Sequence, residues 1–287
     1  MRHLITGATG NIGGRVAERL IARGEKPRIF ARDAGRARAR FGDRVELALG
    51  DLADAASLAR ALVGIDVLFL VNSGPGLEAR DAAAAKVAKT SGVQRIVKLS
   101  SFDAEAQVGT GVWHALGEAA IEATGVALVS VRPTGFMDNA LYWAKGIQEH
   151  GVVRSATGDG RIPFIHSADI ADVALTAMTA PGLEGRRLAI TGPEALSYAE
   201  MATRIGAAIG KSVRHEAISE EEAARFQRSL GEVPAMIEAH LSIYRAISEG
   251  RLATVTQQVE QILGRPATDF DRWIAEHAAA FTANARP

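Results

Sequence analysis

An α/β fold, a doubly wound parallel sheet with a smaller, mostly helical C-terminal part, is predicted by three features of this 287-residue sequence. Short β-branched or aliphatic runs alternate with Ala-rich helical stretches through the first half, the pattern of a parallel sheet covered on both faces. A glycine-rich turn follows the first run at once. Beyond the run at Arg187–Ile190 helical periodicity dominates.

Taken in order, strands are expected at His3–Thr6, 27–31, 45–49, 67–71, Arg95–Leu99 and 127–131. Between them Ile12, Val16, Leu20 and Ile21 share one helical face, as do Leu58 and Leu62, then Val87 with its alanine neighbours, then Leu116, Ala120 and Ile121. Each helix thus carries a narrow apolar stripe, and right-handed crossovers make a doubly wound sheet the economical topology. After Pro133 come a glycine-rich stretch, a short strand at 162–165, a helix at Ser167–Thr179 and a strand at Arg187–Ile190. Helices follow at 197–209, 219–230, 233–249, 255–263 and 268–281, with Ser197, Ser219 and Thr268 as N-caps. The division expected is a dinucleotide-binding domain over 1–150, to which 167–190 returns, and a mostly helical substrate-binding part over 151–287.

Composition removes several classes of function. Lys plus Arg and Asp plus Glu both number 33, with a pI near 7.1, so no global field favours nucleic acid, and none is expected as a partner. The absence of cysteine excludes disulfides, thiolate metal sites and Cys nucleophiles. No apolar run approaches the roughly 18 residues of a spanning helix, and Gly7 arrives too early for a signal h-region, so a cytoplasmic protein without membrane partners is expected. A homo-oligomer stays open. Neither a Gly-x-Ser-x-Gly elbow, a P-loop nor a His-Glu-x-x-His helix occurs, and His166 with Asp169 reads as loop and cap, so no metal is expected.

The strongest signal is Gly7-Ala8-Thr9-Gly10-Asn11-Ile12-Gly13, between the first strand and the first helix. Such a turn lets backbone N–H groups approach a pyrophosphate at a helix N-terminus, so Gly7, Thr9, Gly10, Asn11, Ile12 and Gly13 are candidate cofactor residues of a Rossmann-type domain. The spacing is G-x-x-G-x-x-G.

With Gly14 added, this segment resembles the atypical short-chain dehydrogenase/reductases, specifically the NmrA-like branch. Further matches are Gly50-Asp51-Leu52, Ile96 to Ser101, Val131-Arg132-Pro133, Phe136 to Asn139 and Ile162 to Ala171. The resemblance covers nearly the whole chain, with its most specific motifs ending near residue 175. It implies that Asp51 and Leu52 contact adenine, that Asn72 and Ser73 lie beside the cofactor, and that Pro133, Thr134 and Phe136 pass near the nicotinamide.

The end of the second strand decides which dinucleotide is bound. A carboxylate there accepts the ribose hydroxyls of NAD, whereas an arginine grips a 2′-phosphate. Here Arg32 precedes Asp33, which points to NADP(H), while Arg38 and Arg40 read as a solvated helix face. An inward-turned Asp33 would instead favour NAD.

The Tyr-x-x-x-Lys pair of most short-chain dehydrogenases is replaced by His114-Ala115-Leu116-Gly117-Glu118. The two side chains lie one turn apart on one helical face, and a carboxylate beside the imidazole would favour its protonated form, giving an acid near neutral pH. The same spacing also describes an ordinary surface contact. His114 and Glu118 are catalytic candidates, joined by Ser101 at the end of the fifth strand, with Ser100 a candidate for cofactor and equally for substrate contact. Tyr142 and Lys145, three residues apart, are not the missing dyad, but Asn139, Tyr142 and Trp143 are candidates to line a substrate pocket.

The expected function is an NADPH-dependent oxidoreductase passing hydride to a conjugated hydrophobic acceptor, a quinone, a dye or a polyketide-like aromatic or ketone. The resemblance extends to NADPH-dependent quinone and triphenylmethane-dye reductases. Two alternatives stay open: a redox-sensing NADP-binding regulator without turnover, and a cofactor-retaining isomerase or epimerase.

Overall fold

A computed structural model describes residues 1–282. The chain runs β1 (His3–Thr6), α1 (Asn11–Ala22), β2 (Arg28–Ala31), α2 (Ala34–Phe41), β3 (Glu46–Leu49), α3 (Ala55–Leu62), β4 (Val67–Leu70), α4 (Leu77–Thr90), β5 (Arg95–Leu99), α5 (Asp103–Ala106), α6 (Gly111–Glu122) and β6 (Ala127–Pro133). It continues through a 3-10 turn (Met137–Trp143), α7 (Ala144–His150), β7 (Val152–Ser155), β8 (Arg161–Ile162), α8 (Ser167–Thr179), β9 (Arg187–Ile190) and β10 (Leu196–Ser197). Last come α9 (Tyr198–Ile209), β11 (Arg214–Ala217), α10 (Glu220–Ser229), α11 (Pro234–Ser248), α12 (Gln258–Leu263), α13 (Phe270–His277) and α14 (Ala279–Thr282).

Two compact units share the chain. The first takes residues 1–105, 111–132 and 167–189; the second takes 106–110, 133–166 and 190–287. Residues 133–150, expected in the first domain, therefore cluster with the second, because Pro133 ends β6 and the chain beyond it pairs locally, Phe136 bridging Ile165.

In the first unit the sheet order is β3-β2-β1-β4-β5-β6-β9, and each neighbouring pair from β3 to β6 is parallel. The order reverses between β1 and β4, so the carboxyl ends of six parallel strands converge on one edge with a switch point at its centre. Strand alternation divides the core. Leu4, Leu68, Leu70 and Ile96 bury against Leu58 and Leu62 of α3, Ala84, Ala85 and Ala88 of α4 and Ile121 of α6. Their neighbours Ile5, Phe69 and Val97 are equally buried and point to the opposite face.

The second unit departs from expectation in three places. The strand expected at 162–165 shrinks to Arg161–Ile162, since Pro163 has no N–H to give a ladder. A parallel pair, β7 with β11, went unseen because Arg214-His215-Glu216-Ala217 lacks apolar alternation. The last helix splits in two and is capped by Asp269, whose Oδ1 accepts from Arg272 N at 2.7 Å, rather than by Thr268. Ser197 and Ser219 do cap α9 and α10, each closing a capping box with a glutamate three residues on. No helix among the described residues is long and apolar enough to cross a membrane.

Candidate functional site

The turn after β1 is built for bare backbone. Gly7 has φ +62°, and a Cβ there would lie 2.9 Å from Val71 Cγ1. A Cβ on Gly13 would lie 2.6 Å from the Gly7 carbonyl oxygen, so only glycine lets α1 approach β1 this closely. Gly10 N donates to Gly7 O at 3.0 Å, and Gly10 then starts α1 with no side-chain cap, the kind of helix start that can receive an anion. Ile12 is buried at 4% exposure, so its N–H alone faces that role. Asn11 is held on both sides: Nδ2 donates to Ser167 Oγ at 3.0 Å and Oδ1 accepts from Arg15 Nε at 2.8 Å. Thr9 is half-buried between them.

Arg40 does not belong to a solvated face. Its Nη1 donates to Gly10 O at 2.7 Å, Nε reaches Glu18 at 2.9 Å, and the guanidinium lies where a Cβ on Gly14 would collide with it. It thus ties α2 to the glycine turn. Arg32, by contrast, is 83% exposed and approaches Asp51 Oδ2 at 3.8 Å. Asp33 caps α2, its Oδ1 accepting from Arg36 N at 3.1 Å. Asp51 also accepts from Ala53 N at 2.9 Å, and Leu52 packs on the core.

After β4, Asn72 organises its own loop. Nδ2 donates to Leu77 O at 3.0 Å and to Asp81 Oδ1 at 2.9 Å, while Oδ1 accepts from Arg80 Nε and Ser73 N, each at 3.0 Å. That side chain is spent within its own loop, and Ser73 is exposed.

The corner formed by β5, α4 and α6 corrects the reading of His114 and Glu118. Glu118 pairs with Arg132 of β6, at 3.0 Å to Nε and 2.5 Å to Nη2, and accepts from Ser100 Oγ at 2.5 Å. No His114–Glu118 contact forms among the described residues, because the buried guanidinium satisfies the carboxylate first. Glu118 is held below the usual carboxylate range by the Arg132 and Ser100 hydrogen bonds, which outweigh its larger opposing burial effect. The Ser100 hydroxyl, 5% exposed, spends its one proton on Glu118.

His114 meets a cation instead. Lys98, fully buried, places Nζ 3.2 Å from His114 Nδ1 and 2.5 Å from Asp81 Oδ2, and Asp81 is fully buried too. Gly117 makes room, since a Cβ there would lie 2.5 Å from Asp81 Oδ2. Burial, and then the Lys98 charge, push His114 down to about 3, so the ring is neutral at pH 7 and is not the protonated acid expected from a neighbouring carboxylate. Its Nε2 makes no hydrogen bond among the described residues and is not sealed from solvent. Ser101 is half-buried, its Oγ accepting from Asp103 N at 3.2 Å, and burial pushes Asp103 up to about 6 against the Ser101 hydrogen bond.

Lys98, Asp81, Arg132 and Asp103 were missed by sequence reasoning. Lys98 alone left a trace: it stands where strand alternation requires an inward apolar residue, two positions from Ile96.

In the second unit Thr134 is buried, its Oγ1 donating to Pro163 O at 2.6 Å, and Phe136 is half-buried beside Ile165. Of the residues expected around substrate, Asn139 and Tyr142 are exposed. Trp143 packs on the buried Tyr198 with ring centroids 4.9 Å apart, and Phe164 stands 5.9 Å from Tyr198 on another side.

A parallel switch-point sheet with an uncapped glycine turn defines a dinucleotide-binding protein. A family profile described as NAD(P)H-binding matches residues 7–181, and the chain belongs to that family. It is 39% identical over 281 residues to the (4-alkanoyl-5-oxo-2,5-dihydrofuran-3-yl)methyl phosphate reductase of Streptomyces griseus, covering 97% of this chain and 98% of that one. It is 36% identical over 284 residues to the NAD(P)H azoreductase of Xenophilus azovorans, covering 98% and 99%. The NADPH complex of an Escherichia coli quinone oxidoreductase superposes with a TM-score of 0.87 at 26% identity, over 96% of this chain and 99% of that one. The chain is an NAD(P)H-dependent reductase.

Proposed function

We propose that this reductase takes NADPH in preference to NADH and delivers hydride to a flat, conjugated, electron-poor acceptor, a quinone, an azo or other dye, or an unsaturated ketone. The observation that carries the reading is His114: a neutral imidazole, with one nitrogen open, stands in the place of the usual tyrosine. A neutral imidazole donates a hydrogen bond well and gives up a proton poorly. It suits an acceptor that disperses the incoming negative charge by conjugation and takes its proton from water.

When bound, NADPH supplies the hydride. The glycine turn and the start of α1 hold its pyrophosphate through backbone N–H groups, and Arg32 meets the 2′-phosphate with charge-assisted bonds. Asp51 and Leu52 flank the adenine. Ser101 contacts the substrate end, and His114 Nε2–H donates to the acceptor heteroatom on which charge accumulates. That the relatives named above reduce an azo compound, a quinone and a furanone supports this acceptor class.

An acceptor panel followed by NADPH absorbance, with product identification, tests the reading. Turnover is expected with quinones or azo dyes and not with unactivated ketones. Tight NADPH binding without turnover on any acceptor would overturn it in favour of a redox sensor.

A further inference from the structure

We infer that Lys98, anchored by Asp81, is a positioning residue that fixes His114 as its Nε2–H tautomer and so aims the ring's only N–H away from the protein core. The inference deepens the role proposed for His114.

The argument rests on donor and acceptor chemistry. A lysine ammonium has three donors and no acceptor. With Nζ 3.2 Å from His114 Nδ1, that nitrogen must accept, and the proton of a neutral ring must then sit on Nε2. A doubly protonated ring would set an N–H against an ammonium. Lys98 keeps its charge because Asp81 Oδ2 lies 2.5 Å away, with both side chains wholly buried. Asp81 is itself fixed, its other oxygen accepting from Asn72 Nδ2 at 2.9 Å, so the chain His114–Lys98–Asp81–Asn72 runs from α6 to the loop that leaves β4 at the ligand edge.

The charged groups around His114 leave no competing partner. β5 contributes Lys98 and α4 contributes Asp81. Further along α6, Glu118 is consumed by Arg132 of β6 and by Ser100. Ahead of α6, Asp103 turns to Ser101. Lys98 cannot reach a substrate, being fully buried, so its influence passes through His114. An ammonium on the Nδ1 lone pair also polarises the ring and strengthens Nε2–H as a donor.

The test uses nitrogen-15 NMR of the full-length protein, wild type against Lys98→Met and against Lys98→Met with Asp81→Leu, the double variant removing the unpaired buried carboxylate. Wild-type His114 is expected as the Nε2–H tautomer, without titration from pH 5 to 8. In both variants the ring should populate Nδ1–H. In the double variant kcat should fall at least about tenfold, with NADPH affinity unchanged. A wild-type ring protonated on Nδ1, or one that titrates near pH 6.5, overturns the inference whatever the turnover. An unchanged tautomer and kcat in the double variant do the same. If the tautomer is as stated but His114→Ala leaves kcat unchanged, the tautomer assignment stands and the catalytic role proposed for His114 falls.

Discussion

The glycine turn at the end of β1 and the polar corner around α6 handle backbone and charge in opposite ways. The turn strips away side chains, so that α1 begins without a side-chain cap. The corner brings Lys98, Asp81, Glu118 and Arg132 into the interior and pairs them with one another, leaving one imidazole nitrogen for outside use. One region binds by what it lacks, and the other acts by what it has already satisfied. Substitutions should therefore fail in different ways, adding atoms in the turn and removing single partners in the corner.

The largest effect is expected in the corner. Arg132→Met leaves Glu118 buried without its guanidinium and should cost about 3–5 kcal/mol of stability in a denaturant titration. Adding Glu118→Leu should restore most of that loss, because a paired deletion strands no charge. A double variant no more stable than the single one would show that the pair does more than satisfy itself.

Gly13→Ala comes next. Its Cβ must displace the Gly7 carbonyl or push α1 outward, at about 1–3 kcal/mol of stability. NADPH affinity should fall further than that loss accounts for, since the N–H groups move with the helix. Calorimetry and a fluorescence titration separate the two, and normal NADPH binding in a destabilised variant would detach the turn from the cofactor.

The same contrast explains how much the sequence disclosed. The turn was legible because its residues are contiguous and each glycine answers a local requirement. The central strands of the first unit, β1 and β4, were legible for a similar reason, their apolar runs being buried on both faces. The corner gathers residues 72, 81, 98, 100, 114, 118 and 132, and nothing local shows that Arg132 rather than His114 takes Glu118. Helical spacing places two side chains on one face without deciding which partner each prefers. Arg40 failed likewise: a charge run on a helix gives no sign that one member reaches back to the Glu18 carboxylate and the Gly10 carbonyl, 22 and 30 residues earlier.

Arg32 carries a smaller expected effect, confined to cofactor choice. Arg32→Ala should weaken NADPH by about 10- to 100-fold and NADH much less. Equal losses for both would mean that the guanidinium stacks on adenine without reading the phosphate.

The smallest concerns Asp103, pushed up to about 6 by burial. The folded protein binds this proton more tightly than the unfolded chain, so Asp103 lowers stability as pH rises from about 4 to about 6, with no further change above. For a half-buried carboxyl the difference is on the order of 1–2 kcal/mol. Asp103→Asn should flatten that part of the stability curve relative to wild type, and parallel curves would remove Asp103 as its source.

The central claim is that His114 works as a neutral donor. The ratio of wild-type to His114→Ala kcat, measured with NADPH and a quinone from pH 5.5 to 8.5 (about the imidazole range), tests it most directly, because other titrations cancel in the ratio. A ratio that stays constant across the range, between about 10 and about 100, is the predicted result. A ratio of one throughout, or one that changes with a midpoint near pH 6.5, would contradict it.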